Sequence, residues 1–165
     1  MKKIRGRKIT YSVQAMHLPN GVIASMDVIE HPGAALMIPF LAKNKIIFLR
    51  QYRAIFKEYL YELPAGTLDP KEKVISCARR ELIEETGYRA KLFRKLGHIY
   101  VVPGYSNEVI HIFEARGLVP AEAPKDIDEI LKPIILTKSK VQQLFRQRKI
   151  VDAKSICALA MCGWI

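Results

Sequence analysis

Apolar residues along this chain fall into short runs separated by turn signals. Residues 4–17 are rich in β-formers, Pro19-Asn20-Gly21 marks a turn, and Val22 to Ile29 reads as a returning strand. That spacing predicts an N-terminal β-hairpin. His31-Pro32-Gly33 breaks the pattern. Ala34 to Ala42 is then nearly continuous in apolar residues, Lys43-Asn44-Lys45 turns, and Ile46-Ile47-Phe48-Leu49 is a second apolar run. Runs with apolar residues on both faces suit strands buried inside a sheet.

Tyr59 to Leu63 predicts a short strand stopped by Pro64-Ala65-Gly66. Ile75, Ala78, Leu82 and Ile83 then follow the three-to-four spacing of one buried helix face. Thr86 should end that helix, and Gly87 sits where a C-cap glycine belongs. Strands are expected near 91–102, 108–115 and 130–136, with a turn-rich stretch at 119–128 and helices over 138–149 and 152–162. Mixed strands followed by helices between strands predict an α/β sandwich rather than a regular β-α-β repeat.

Composition narrows the class. A chain of 165 residues fits one domain of the common size of about 100–200 residues. It can bury roughly 70% of its unfolded surface without disulfides or a structural metal. Half of its residues are hydrophobic and 26% are charged, which excludes wholesale disorder. No apolar run reaches the roughly 18 residues of a membrane helix, so no membrane partner is expected. The basic start lacks the apolar core of a secretory signal. Cys77, Cys157 and Cys162 show no C-x-x-C spacing, which suits a reducing, cytoplasmic setting. The net charge of +11 attracts polyanions of some kind, although many basic proteins bind nothing large. No arginine-rich stretch with interleaved aromatics marks a nucleic-acid surface, so nucleic acid is the weaker partner.

Against that basic background one segment is acidic. On a helix, Glu81 and Glu85 lie one turn apart and Glu84 lies beside them. Three carboxylates this close repel one another and need a cation. Arg80 stands four residues before Glu84 and can pair with it. A hard divalent ion such as Mg²⁺ or Mn²⁺ is the other candidate. A solvated acidic face is the simpler reading of the three glutamates alone. Asp69 and Glu72, with Pro70 between them, likewise read as a helix capping box.

The whole segment resembles the Nudix box, G-x5-E-x7-R-E-U-x-E-E-x-G-U, where U is bulky and apolar. Gly66, Glu72, Arg80, Glu81, Glu84, Glu85 and Gly87 supply all seven fixed letters. Leu82 and Tyr88 fill the bulky positions, Tyr88 more loosely than an aliphatic residue would. The resemblance implies hydrolysis of a nucleoside diphosphate linked to another group, on a Nudix-type α/β/α sandwich with a mixed sheet. It implies that Glu81, Glu84 and Glu85 hold Mg²⁺ (or Mn²⁺) with the Ala65 carbonyl, while Arg80 and Glu72 orient the glutamates and the loop.

Flanking residues resemble the ADP-ribose pyrophosphatase branch: Gln51-Tyr52-Arg53, Tyr61-Glu62-Leu63-Pro64-Ala65-Gly66, Pro103-Gly104-Tyr105-Ser106-Asn107-Glu108, and the segment Lys149 to Ser155. By that resemblance Arg53 binds the diphosphate, and Glu62 and Pro103 belong to the substrate-binding set. Glu108 meets the terminal ribose or helps position water. Arg53 as a solvated charge and Glu108 as an exposed loop acid remain alternatives. Glu129 is favoured as general base over Asp126 and Asp128. The branch often forms homodimers through N-terminal strands, so residues 1–30 are expected to be a dimer element and residues 31–165 the hydrolase domain. Tyr11 there could stack on a base, but sheet packing is the simpler role. Expected substrates are ADP-ribose or a related nucleoside diphosphate sugar. GDP-mannose, a nucleoside triphosphate, capped RNA, or a silent nucleotide-sensing module are the alternatives.

Overall fold

Three strands open the fold, and they lie outside the main sheet. The computed structural model describes residues 3–122 and 130–165. Strands β1 (Lys3–Arg5), β2 (Thr10–His17) and β3 (Ile23–Glu30) form an antiparallel sheet in that order. The predicted hairpin is β2–β3, and β1 adds a third strand that its mostly polar sequence did not announce. Tyr11 on β2 donates its hydroxyl to Asp27 Oδ1 at 2.6 Å, an in-sheet contact.

The second sheet holds β4 (Ala34–Ala42), β5 (Lys45–Arg53), β6 (Glu58–Glu62), β7 (Ala65–Thr67), β8 (Tyr88–Tyr100), β9 (Val109–Pro120) and β10 (Leu131–Thr137). Its main path runs β10-β5-β4-β9-β8, with β6 on β5 and β7 on β4. Among the described strands only β4 and β9 pair in parallel. Helix α1 (Val74–Thr86) covers one face, and α2 (Lys138–Arg146) and α3 (Ala153–Met161) belong to the other.

Strand β4 shows why an unbroken apolar run was needed. Successive side chains of a strand point to opposite faces. Leu36, Ile38 and Phe40 therefore join one core with Val141, Leu144, Leu159 and Trp164. Ala35 and Met37 join the other, with Cys77, Ala78 and Leu82 of α1 and Phe113 of β9. Leu82 is fully buried, which is worth about 1.5–3 kcal/mol.

Helix α1 ends as expected: Gly87 takes φ 74° and its N–H returns to the Ile83 carbonyl. Its start differs from the capping-box expectation. The helix begins at Val74, and Lys73 at the N-cap makes no side-chain cap bond. Asp69 N–H does donate to Glu72 Oε2 at 3.0 Å, but within a turn ahead of the helix. The Glu72 carboxylate also takes a fork from Arg80, which fixes that turn onto the helix. Helix α2 stops at Arg146, three residues sooner than expected.

Candidate active site

The box residues meet where β7 passes the second half of α1. Gly66 on β7 lies so close to the helix that an added Cβ would stand 1.8 Å from Glu81 Cδ and 1.9 Å from Glu81 Oε1. Only a residue without a side chain lets that carboxylate rest against the loop. Next to it, Ala65 N–H donates to Glu85 Oε2 at 2.8 Å, and Glu85 is buried. Ala65, Glu81 and Glu85 therefore share one corner.

Arg80 gathers the remaining acids. Its Nη1 donates to Glu81 Oε1 at 2.6 Å and to Glu84 Oε2 at 3.1 Å. Its Nε and Nη2 reach the two Glu72 oxygens at 3.1 and 2.9 Å, and Nη2 also reaches the Thr67 carbonyl at 3.3 Å. The predicted pair with Glu84 is present, and Glu81 and Glu72 join it. The fork from Arg80 holds Glu72 below the usual glutamate range, and Glu72 in turn raises Arg80 above its ordinary value. Cys77 lies beneath, its thiol pushed up to about 12 by burial, so it is not a nucleophile here.

A cleft of about 390 Å³ opens over this corner, lined by Glu81, Glu85, Ala65 and Gly66 on one side. Arg53, Lys154, Asp152 and Lys8 line it as well, with Glu108 and Gln51. Arg53, at the end of β5, donates from Nε to Glu62 Oε1 at 2.7 Å and from Nη2 to Glu62 Oε2 at 2.6 Å. Lys154 Nζ also donates to Glu62 Oε2, and to Asp152 Oδ1 at 2.8 Å. Glu62 is only 1% exposed. Burial alone would favour its neutral acid, but Arg53 and Lys154 outweigh that and hold it below the usual range. The hydrogen bonds that Arg53 donates to Glu62 raise Arg53, and the nearby Glu85 charge adds to this.

A second cleft of about 610 Å³ shares Lys8, Thr67 and Glu81 with the first. Its far wall is the end of β1 at Arg5 and the turn Gly6 to Ile9 that follows, with His31 and Pro32. His31 is structural in part, since its Nδ1 accepts the Gly33 N–H at 3.0 Å.

The residues expected at the site are thus placed as follows. Glu81, Glu85, Ala65, Gly66, Arg53 and Glu108 line the first cleft. Glu84 is held by Arg80 and does not line the first cleft. Glu62 lies under Arg53 rather than at the surface. Pro103 is exposed on the turn after β8 and does not line the cleft. Glu129, Asp126 and Asp128 lie outside the described residues. Lys8, Asp152 and Lys154 were not singled out from the sequence, although two of them fall in the segment 149–155 that carried the resemblance.

The donor set suits a hard divalent cation: carboxylates on one helix face, the Ala65 backbone beside Glu85, and a glycine that leaves Glu81 its room. Among the described residues no three carboxylates already converge as a cage. Arg80 spans the gaps between them.

An acid-bearing helix facing a fixed arginine across such a cleft is the arrangement of a hydrolase for phosphorus acid anhydrides. The chain belongs to the Nudix family, for residues 30–153 match the NUDIX domain, and it is a Nudix pyrophosphohydrolase of a family that generally depends on a divalent metal. It is 35% identical over 156 residues to a methanol dehydrogenase activator from Bacillus methanolicus, covering 93% of this chain and 84% of that one. With an ADP-ribose pyrophosphatase from Bacillus subtilis it shares 33% over 156 residues, at the same coverages of 93% and 84%. With a GDP-mannose pyrophosphatase from Cronobacter sakazakii it shares 32% over 136 residues, 77% of this chain and 71% of that one. Its fold matches the crystal structure of an ADP compounds hydrolase with a TM-score of 0.83 at 24% identity, covering 98% of this chain and 89% of that one. No helix among the described residues is long and apolar enough to cross a membrane.

Proposed function

We propose that this enzyme hydrolyses the diphosphate bond of ADP-ribose, or of a closely related nucleoside diphosphate sugar, to a nucleoside monophosphate and a sugar phosphate. From ADP-ribose the products are AMP and ribose 5-phosphate. One observation carries the reading: Arg53, pinned by Glu62, lines the same cleft as Glu81 and Glu85. Glu62 occupies one edge of the guanidinium, and the planar fork leaves the other edge for a phosphate oxygen. The two clefts meeting at Glu81 also suit a substrate with its diphosphate in the middle and a bulky group at each end.

Glu81, Glu84 and Glu85, with the Ala65 carbonyl, would hold Mg²⁺ or Mn²⁺. When bound, the cation supplies positive charge to phosphate oxygens whose negative charge grows in the transition state. Arg80 keeps Glu81 and Glu84 apart yet adjacent, and Glu72 keeps Arg80 in place. Arg53 steadies the phosphate that is displaced. Glu129 takes the proton of the attacking water. A new bond then joins the water oxygen to phosphorus, the bridging P–O bond breaks, and the electron pair leaves with the departing phosphate.

The resemblance to pyrophosphatases of ADP-ribose and of GDP-mannose keeps GDP-mannose as the second substrate to test. A homodimer fits the N-terminal sheet, where Ile4, Val13, Val22 and Ile23 are exposed at 44–61%. Residues 1–30 would then be the dimer element and 31–165 the hydrolase domain. Free Cys77, Cys157 and Cys162 fit work in the cytoplasm. The reading is tested by incubating the purified protein and Mg²⁺ with a nucleotide panel and identifying the products. Turnover of ADP-ribose no faster than that of unrelated nucleotides would refute it.

A further inference from the structure

The start of α3 is bound into the floor of the cleft more tightly than a helix N-terminus requires. Asp152 caps the helix through Oδ2, which accepts the Ser155 N–H at 3.1 Å and the Ser155 hydroxyl at 2.5 Å. Ser155 Oγ in turn accepts the Leu63 N–H at 2.7 Å. Those bonds complete the cap and tie it to the chain just past β6. None of them involves Lys154.

Lys154 instead turns to the cleft. Its side chain is 17% exposed, and it bridges Asp152 Oδ1 to Glu62 Oε2. The helix buries Ser155, Ala158 and Leu159, not Lys154. A lysine gives up much rotamer freedom when held in one place, so a helix cap alone does not explain it. Its target is the buried carboxylate that grips Arg53. With Arg53 as sole partner, the Glu62 carboxylate could turn and carry the guanidinium with it. A third hydrogen bond from Lys154 fixes that plane and keeps the buried acid ionised.

We propose that Lys154 is a positioning residue for substrate binding: by bracing Glu62 against Asp152, it sets the free edge of Arg53 toward the diphosphate. The order of action is Asp152, Lys154, Glu62, Arg53, and only Arg53 touches the substrate. The inference rests on the reading of Arg53 as the diphosphate cation.

The test is a double-mutant cycle with Lys154→Met and Arg53→Ala, using whichever nucleoside diphosphate compound the wild-type protein hydrolyses fastest. A wrong sugar then sinks the ADP-ribose reading and leaves the Lys154 comparison intact. Lys154→Met is expected to raise KM about tenfold, the loss of one charge-assisted hydrogen bond, with kcat within about threefold. Lys154→Arg should restore most of the affinity. On the Arg53→Ala background, Lys154→Met should change KM less than about twofold, because its route to the substrate is already cut. Should Lys154→Met fail to fold, Lys154→Gln takes its place in the cycle. An unchanged KM in the single variant would overturn the proposal. So would additive effects in the double variant, which would make Lys154 an independent contact or a structural residue.

Discussion

Gly66 leaves Glu81 no room for any side chain opposite it: a Cβ would stand 1.8 Å from the carboxyl carbon and 1.9 Å from Oε1. Real atoms do not approach so closely, so Gly66→Ala must displace Glu81 from the corner it shares with Ala65 and Glu85. The fold should survive, because the clash is with the end of a flexible side chain. The expected outcome is a loss of about 100-fold or more in kcat/KM with Tm lowered only a few degrees. Steady-state kinetics and a melting curve on the same preparation decide it.

Glu85→Gln separates charge from shape. The glutamine oxygen still accepts the Ala65 N–H that Glu85 Oε2 holds at 2.8 Å, so the buried side chain keeps its place. One negative charge for the cation is gone. We expect kcat to fall about 100-fold or more and metal titration to show weaker binding. Near-normal turnover would remove Glu85 from the metal site.

Acid should weaken the fold through carboxylates that are held by arginine and lysine. Glu62, Glu72 and Glu114 all lie below their ordinary value of 4.5. For each, the unfolded chain binds a proton more readily than the folded one. Their stabilisation is therefore present above about pH 4.5 and is lost as pH falls through the lowered native values. The melting temperature should drop steeply below pH 4.5. In Glu62→Gln the drop should be shallower, from a lower starting point, since a buried pair has been broken. Circular dichroism melts across the range from pH 3 to 7 test this.

The N-terminal sheet carries the prediction on assembly. Sedimentation should give a mass of two chains at micromolar concentration, and Ile23→Lys on the exposed edge of β3 should shift it toward one chain. A single-chain mass for the unaltered protein would reject the dimer.

How much of this could be read from the sequence follows from the range of each interaction. Helix α1, its Gly87 cap and the acid face are local, and the spacing of Glu81, Glu84 and Glu85 places them directly. The doubly apolar run of β4 likewise announces a strand buried on both faces. For Glu72 the spacing alone suggests a capping box with Asp69, whereas the box resemblance makes it a partner of Arg80, and in the fold its carboxylate takes both the Asp69 N–H and the Arg80 fork. Arg80 lies a further eight residues along the chain, a distance at which no spacing rule by itself joins it to Glu72. Lys154 is 92 residues from Glu62, and no spacing rule joins a lysine to an acid at that distance. The same holds for Lys8, which reaches the cleft only because the first sheet folds against it.

The most direct measurement of the central claim is product analysis of ADP-ribose hydrolysis with and without Mg²⁺, set beside GDP-mannose and a nucleoside triphosphate. The expected result is Mg²⁺-dependent release of AMP and ribose 5-phosphate in equal amounts, faster than turnover of the other compounds. Hydrolysis of ADP-ribose no faster than theirs, or equally fast in the presence of a chelator, would contradict it.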